Sequence, residues 1–299
     1  MAVQKRRVVR EWLAVLPFLL PGLALFLIFI LWPLAQGMRV SFYNWSIMPG
    51  AEQEFVGLAN YKRAFVDPVV YVAVKNTLLY TVITVPGQMA LGLLGALLLN
   101  AAIPWRGLFR SLYYIPVLTP WIIVAAIFHY MFSDGPSPVN HLLVDVLHLA
   151  PKYVNWLNDA TLAQVPINLL GIWKGVGWNM VIFLAGLQSI PPELYEAAAI
   201  DGASGRQAFW RITIPLLRPV VLYALVLLTI GGFNVFISVY LLTNGGPLNS
   251  TQTVLNYMYQ QGFKFFDFGY GFALAVLMGI VIFILSAIQF RFVHNKTDV

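Results

Sequence analysis

Residues 188–215 read QSIPPELYEAAAIDGASGRQAFWRITIP, a polar, glycine-broken segment set between two hydrophobic stretches that are each long enough to cross a bilayer. Pro191 and Pro192 open a helix at Glu193, because proline's fixed φ suits a first turn in which its missing N–H is not needed. That helix is expected to run to about Ile200, with Leu194, Ala197 and Ala198 on one side at i, i+3, i+4 spacing and the small alanines permitting close approach to a partner. Gly202 ends it, Ser204 caps a second helix through Ile212, and Pro215 is expected to stop that helix before the next hydrophobic stretch. A membrane subunit that does no chemistry must receive force from a soluble partner, and such a helix pair is a way to receive it.

The rest of the chain supports a membrane setting. Of its 299 residues 60% are hydrophobic and 10% charged, whereas soluble domains carry roughly 25% charged residues. Six stretches, approximately 12–36, 76–100, 110–132, 165–188, 219–243 and 271–291, are long and apolar enough to cross a hydrocarbon core. The expected fold is therefore an all-α polytopic membrane protein with six transmembrane helices in a single domain over 1–299. Lys5-Arg6-Arg7 followed by an apolar run from Trp12 imitates a secretory signal, but the run is too long and no small-residue cleavage site ends it, so a retained first span is expected. Cysteine is absent, which rules out a disulfide or thiolate-metal site.

Charge sets the expected orientation. With both termini cytoplasmic, Lys and Arg at positions 5, 6, 7, 10, 106, 110, 206, 211, 218, 291 and 296 lie inside, and those at 39, 62, 63, 75, 152 and 264 lie outside. The net charge of +6 is then a topology signal and a match to anionic lipid headgroups, not a nucleic-acid footprint. Pro86, Pro116, Pro120 and Pro166 are each expected to favour a kink. The first outside segment carries an apolar rhythm (Phe55, Val56, Leu58, Tyr61, Phe65) that suggests short interfacial helices, and the second an amphipathic piece around Val139–Leu149. The third begins at Asn244-Gly245-Gly246-Pro247 and holds an aromatic cluster, Tyr257, Tyr259, Phe263, Phe265, Phe266 and Phe268, suited to an interface belt.

The Glu196-Ala197-Ala198 triplet, Gly202 and Ile212-Thr213-Ile214-Pro215, at these spacings, resemble the signature of permease subunits of ATP-binding-cassette importers. That family usually has Leu where this chain has Ile214. Phe55-Val56-Gly57-Leu58 with Asn60-Tyr61, then Asn76-Thr77, and the turn Leu241-Leu242-Thr243-Asn244-Gly245-Gly246-Pro247, narrow the resemblance to the carbohydrate-uptake permeases of the maltose and glycerol-phosphate type, first of the two permease partners. The resemblance implies a type I importer fold in a bacterial or archaeal plasma (inner) membrane. It also implies a heterodimer with a second permease, two ATPase subunits carrying ATP and Mg, and an extracytoplasmic solute-binding protein that delivers a sugar. Coupling to the ATPase would then fall to Glu193, Glu196, Ala197, Ala198, Asp201, Gly202, Ile212 and Pro215.

A sugar path is expected where polar and aromatic residues enter the spans. Lys174 should face a wet cavity or the bundle interior, since an unpaired charge at mid-bilayer costs roughly 2.5–3.5 kcal/mol, or else snorkel to the interface. Around it stand Gly171, Gly175, Trp178 and Asn179, and the fifth span offers Gly232, Asn234, Phe236 and Tyr240. In the resembling family the sugar site is built from these two stretches. His141, Asp145 and His148 share a spacing compatible with a metal, yet read better as a solvated face, and His129 reads as a packing histidine.

No Gly-Lys dipeptide occurs, so this chain has no loop to cradle ATP phosphates, and no HExxH, nucleophile elbow or dinucleotide loop appears. The chain is thus not expected to be an enzyme or to bind a cofactor itself. The rival is an autonomous, ion-driven carrier, which would need intramembrane acids, yet every Asp and Glu maps to a loop or terminus. A permease of the same architecture for glycerol phosphate or an oligopeptide is the other alternative.

Overall fold

The computed structural model describes residues 15, 17–48, 50, 53–101 and 104–294. Lys5, Arg6, Arg7, Arg10 and Lys296, and residues 12–14 of the first expected span, lie outside them. Among the described residues five helices are long and apolar enough to cross a membrane, and a sixth span is formed if one sharply bent helix pair is counted as one. The contacts divide the chain into two compact units, 1–66 with 260–276 and 67–259 with 277–299.

The smaller unit starts with helix α1, Pro17–Val40, none of whose apolar window is buried. A two-stranded antiparallel ribbon follows, β1 (Tyr43–Asn44) against β2 (Glu54–Phe55), with Tyr43 opposite Phe55. Then comes α2, Ala59–Val66. One eight-residue helix and a ribbon thus replace the several interfacial helices read from the apolar rhythm. The ribbon is pinned by Asn60, whose amide donates to the Ser41 and Tyr43 carbonyls at 2.9 and 3.0 Å. The same unit holds the Arg63–Asp267 ion pair at 2.6 Å, with the guanidinium over the Tyr270 ring.

The larger unit opens with α3, Pro68–Asn100. Asp67 caps it by accepting from the Val69 N–H at 2.8 Å, and Pro68 fills its first position. It therefore starts eight residues before the expected 76 and runs through Pro86 without a break. Helices α4 (Arg106–Leu118) and α5 (Trp121–Met131) meet at 92°. The expected single third span over 110–132 is thus an elbow, and of the four prolines read as kink sites only Pro120 coincides with a break. Pro116 lies within α4, while Pro166 sits in the first turn of α6, Gln164–Gln188, where a missing donor leaves no ladder bond unmade. Helix α7 is Glu193–Ile200 and α8 is Gly205–Phe233, after which the chain breaks and resumes as α9, Ile237–Leu242, so the fifth span ends ten residues short of the expected 243. Helix α10, Val254–Tyr259, and the final helix α11, Phe268–His294, complete the chain.

Helices α3 and α6 form the spine of this unit and come close because glycine lies at their contacts. A Cβ on Gly92 would stand 2.5 Å from the Asn179 Cβ, and one on Gly177 would strike the Tyr113 carbonyl oxygen of α4. Two apolar cores result. One gathers Tyr80, Val124, Leu170 and Val239 around the elbow, and the other gathers Ala96, Met180, Phe183 and Leu217 beneath α7.

Candidate functional site

The α7–α8 hairpin folds as its sequence dictates. Helix α7 closes with two backbone bonds, Gly202 N–H to the Ala199 carbonyl at 3.1 Å and Ala203 N–H to the Ala198 carbonyl at 2.9 Å. This closure requires a left-handed residue, and Gly202 supplies φ +73°. Nothing would contact a Cβ there, so glycine is needed for its backbone angle and not for space. Ser204 and Gln207 then form a reciprocal cap on α8: the Gln207 N–H donates to Ser204 Oγ at 3.4 Å, and the Ser204 N–H donates to Gln207 Oε1 at 2.7 Å.

Of the side expected to meet a partner, Leu194 and Ala197 point outward but Ala198 does not: it is half-buried with Tyr195, which packs with Ile212 on the lower core and pairs its hydroxyl with Thr213 Oγ1 at 2.9 Å. Glu193, Leu194, Glu196, Ala197, Asp201 and Gly202 face outward, as does Ile200, whose surface is 87% exposed. Pro215 does not stop the second helix as expected. The backbone widens over Phe209–Thr213, where Ile214 N–H reaches back five residues to the Phe209 carbonyl, so the regular ladder restarts with Pro215 in a first turn.

Three cavities touch residues named for a sugar path. The first, about 260 Å³, is lined by Tyr80, Thr84 and Gln88 of α3, Val117 and Trp121 of the elbow, Gly171, Lys174, Gly175 and Trp178 of α6, and Leu228, Gly231 and Gly232 of α8. The second, about 340 Å³, shares Tyr80, Trp121 and Gly231 with it and adds the α8–α9 break, Asn234–Ser238. The third, about 480 Å³, is framed by His129, Ser133, Asp134, Asn158, residues 240–244, Gly246 and Pro247. Phe236, Tyr240 and Tyr259 meet in an aromatic triangle, with centroids 5.0–5.3 Å apart.

Asn179 lines none of these cavities. It is fully buried, and its amide donates to the Gly175 carbonyl at 2.9 Å and to Gln88 Oε1 at 3.5 Å, so it binds helix to helix. Gly171 and Gly175 touch the first cavity, but the Tyr80 hydroxyl and the Gln88 amide occupy the space where their side chains would lie. They serve close packing rather than approach to a ligand. Sequence reasoning passed over Tyr80, Thr84 and Gln88. Their signal was visible as a polar stripe at three- and four-residue steps, Asn76, Thr77, Tyr80, Thr81, Thr84 and Gln88, along one buried face of an apolar span.

Lys174 does not snorkel; it borders the first cavity but turns its ammonium onto backbone. It is buried, and its ammonium donates to the carbonyls of Pro116 at 2.7 Å, Thr119 at 2.6 Å and Val117 at 3.5 Å, with the Trp121 ring 4.8 Å away. Outside the spans, Asn140 is a hub: its amide nitrogen donates to Gly135 and Val154, and its oxygen accepts from the Val154 N–H and the Trp156 indole. Hydrogen bonds from Tyr153 and then His141 hold the Asp145 carboxyl below its ordinary range, while His148 turns to the Val144 carbonyl.

Residues 88–298 match the family of binding-protein-dependent transport system inner membrane components. Among relatives, the arabinooligosaccharide transport system permease protein AraP of Bacillus subtilis is 38% identical over 92% of this chain and 86% of its own length. The sulfoquinovosyl glycerol transport system permease protein SmoG of Agrobacterium fabrum is 38% identical over 95% and 91%. The structure of a bacterial ABC transporter that imports the acidic polysaccharide alginate superimposes with a TM-score of 0.82, 24% identity and 99% coverage of both chains, which shows the shared fold. The chain belongs to this family of binding-protein-dependent permeases and is a multi-pass membrane component.

Proposed function

We propose that this permease forms one half of the pathway for a sugar, paired with a second, non-identical permease, and that motion of two ATPase subunits reaches it through residues 193–215. The observation that carries the coupling part is the outward face of α7. Glu193 and Glu196 sit in its first turn, where negative charge suits the helix dipole, and Ile200 projects beyond them almost fully exposed. Covering such a side chain is worth roughly 1.5–3 kcal/mol, which suits a groove in a soluble partner. ATP and Mg belong to that partner, and this chain hydrolyses nothing. The basic residues of this loop, Arg206, Arg211 and Arg218, support a cytoplasmic side for it and for both termini, in a bacterial or archaeal plasma membrane.

The sugar part draws on the relatives, whose names include an arabinooligosaccharide and a sulfoquinovosyl glycerol system, and on the hydroxyl, amide and indole groups lining the first two cavities. An ion-driven carrier is disfavoured, since no acid lines either cavity among the described residues. A pull-down from native membranes in mild detergent tests the assembly. Recovery of a second permease, an ATPase and a solute-binding protein is expected, and recovery of this chain alone under conditions that keep it folded would defeat the reading.

A further inference from the structure

Pro120 removes the N–H that the Pro116 carbonyl would have accepted one helical turn on, and the 92° elbow strands the neighbouring carbonyls of Val117 and Thr119 inside the bundle. A buried carbonyl without a partner is costly, and in a membrane water does not rescue it. An ammonium has three N–H donors. Lys174 directs its ammonium at three carbonyls, all from residues 116–119, and places its charge at the C-terminal end of α4, where the helix dipole favours a cation. Trp121, on the far side of the bend, closes the ring of contacts.

We infer that Lys174 is the clasp that sets the elbow of the third span, not a substrate ligand, and that the cavity beside it takes an uncharged saccharide. Val117 and Trp121 are wall residues of the first cavity, and Trp121 also stands between it and the second, so the bend angle fixes the shape of both. Lys174 carries the one charge among the described residues lining these two cavities, and its donors are spent on backbone. An anionic solute would find no free cation there, whereas hydroxyls find Tyr80 and Gln88. The substrate half of this inference rests on the proposed sugar pathway, while the clasp does not.

The test uses the whole transporter, this chain with its partner permease, ATPase subunits and binding protein. The chain has no cysteine of its own, so spin labels are placed at Leu108→Cys and Tyr130→Cys, both exposed and on opposite arms of the elbow. With a rise of 1.5 Å per residue, straightening the bend lengthens that separation by about 10 Å. Lys174→Met is expected to lengthen or broaden the distance distribution and Lys174→Arg to keep it. If Lys174→Met does not assemble, Lys174→Gln, with two donors, carries the measurement, and partial broadening is expected.

An unchanged distribution in the uncharged variants would overturn the clasp, whatever uptake does. For the substrate half, quenching of Trp121 and Trp178 emission is read in the assembled transporter without binding protein. Maltotriose and arabinotriose are compared with trigalacturonate, and at least tenfold weaker binding of the uronate is expected. Equal binding would overturn the uncharged class. Absence of binding by every saccharide, with the elbow responding as expected, would defeat the sugar reading and leave the clasp standing.

Discussion

Two elbows of the larger unit, at Gly202 and at Pro120, are each a helix, a short break and a second helix, and they are held in opposite ways. At Gly202, outside the spans, the orphan carbonyls of α7 are closed by N–H groups three and five positions down the chain. At Pro120, inside a span, they are closed by an ammonium 55–58 positions away. A chain in water can end a helix with its own backbone, helped by solvent. A chain in hydrocarbon that has discarded a donor to proline must borrow one from a neighbouring helix. The first elbow is a local event with an outward face free for a partner, and the second is a tertiary event whose geometry depends on packing between helices.

The largest effect expected from this contrast is on transport. Glu196→Lys reverses a charge on the outward face of α7, where Glu196 has no partner role in folding, so uptake should fall about 30-fold or more, the factor that 2 kcal/mol represents at an interface hot spot. The melting temperature of the detergent-purified chain should hardly move. Normal uptake by this variant would remove α7 from the coupling path.

Next in size is Gly177→Ala. Its Cβ would meet the Tyr113 backbone carbonyl, which cannot rotate away, so α4 must lift from α6 and draw its carbonyls off Lys174. A loss of about 1–3 kcal/mol is expected from overpacking, read as a lower melting temperature together with a longer 108–130 label distance. A drop in melting temperature with the distance intact would show that the elbow holds without close packing.

Smaller and confined to the loop is Gly202→Ala. A Cβ at φ +73° costs roughly 1–2 kcal/mol for a left-handed residue, and hydrogen exchange should rise in residues 197–204 with no change at the 108–130 distance. Spread of the effect into the spans would mean that the two elbows are not independent.

The smallest effect is electrostatic and local. The Asp145 carboxyl is held down in the folded state, first by the Tyr153 hydroxyl and then by His141, so it contributes stability above its ordinary range that is lost as pH falls through the lowered value. Tyr153→Phe removes the main cause, and the Asp145 titration followed by NMR should move up towards an ordinary aspartate. A fixed titration would assign the hold to His141 instead.

These two elbows also explain what could be read from sequence. The α7 boundaries, Gly202 and the Ser204 cap were legible because each is satisfied by residues within five positions. The inward turn of Ala198 with Tyr195 was not, since only the position of Thr213 and Ile212 decides it. Pro215 misled because a wide turn before it restarted the ladder, a feature with no simple residue signature. In the spans, hydropathy found every apolar stretch but could not see that 110–132 bends, that 234–236 breaks, or that Lys174 belongs to Pro116. Those facts depend on partners far away in the chain, as does the packing role of Gly171, Gly175 and Asn179.

The clasp also imposes an order on biogenesis. Residues 116–119 are made before residue 174, and at 5–20 residues per second the interval is roughly 3–11 s. During that time the third span has no donor for its stranded carbonyls and no means of holding its angle. The bend can therefore be fixed only once the fourth span packs beside it and brings Lys174 to these carbonyls.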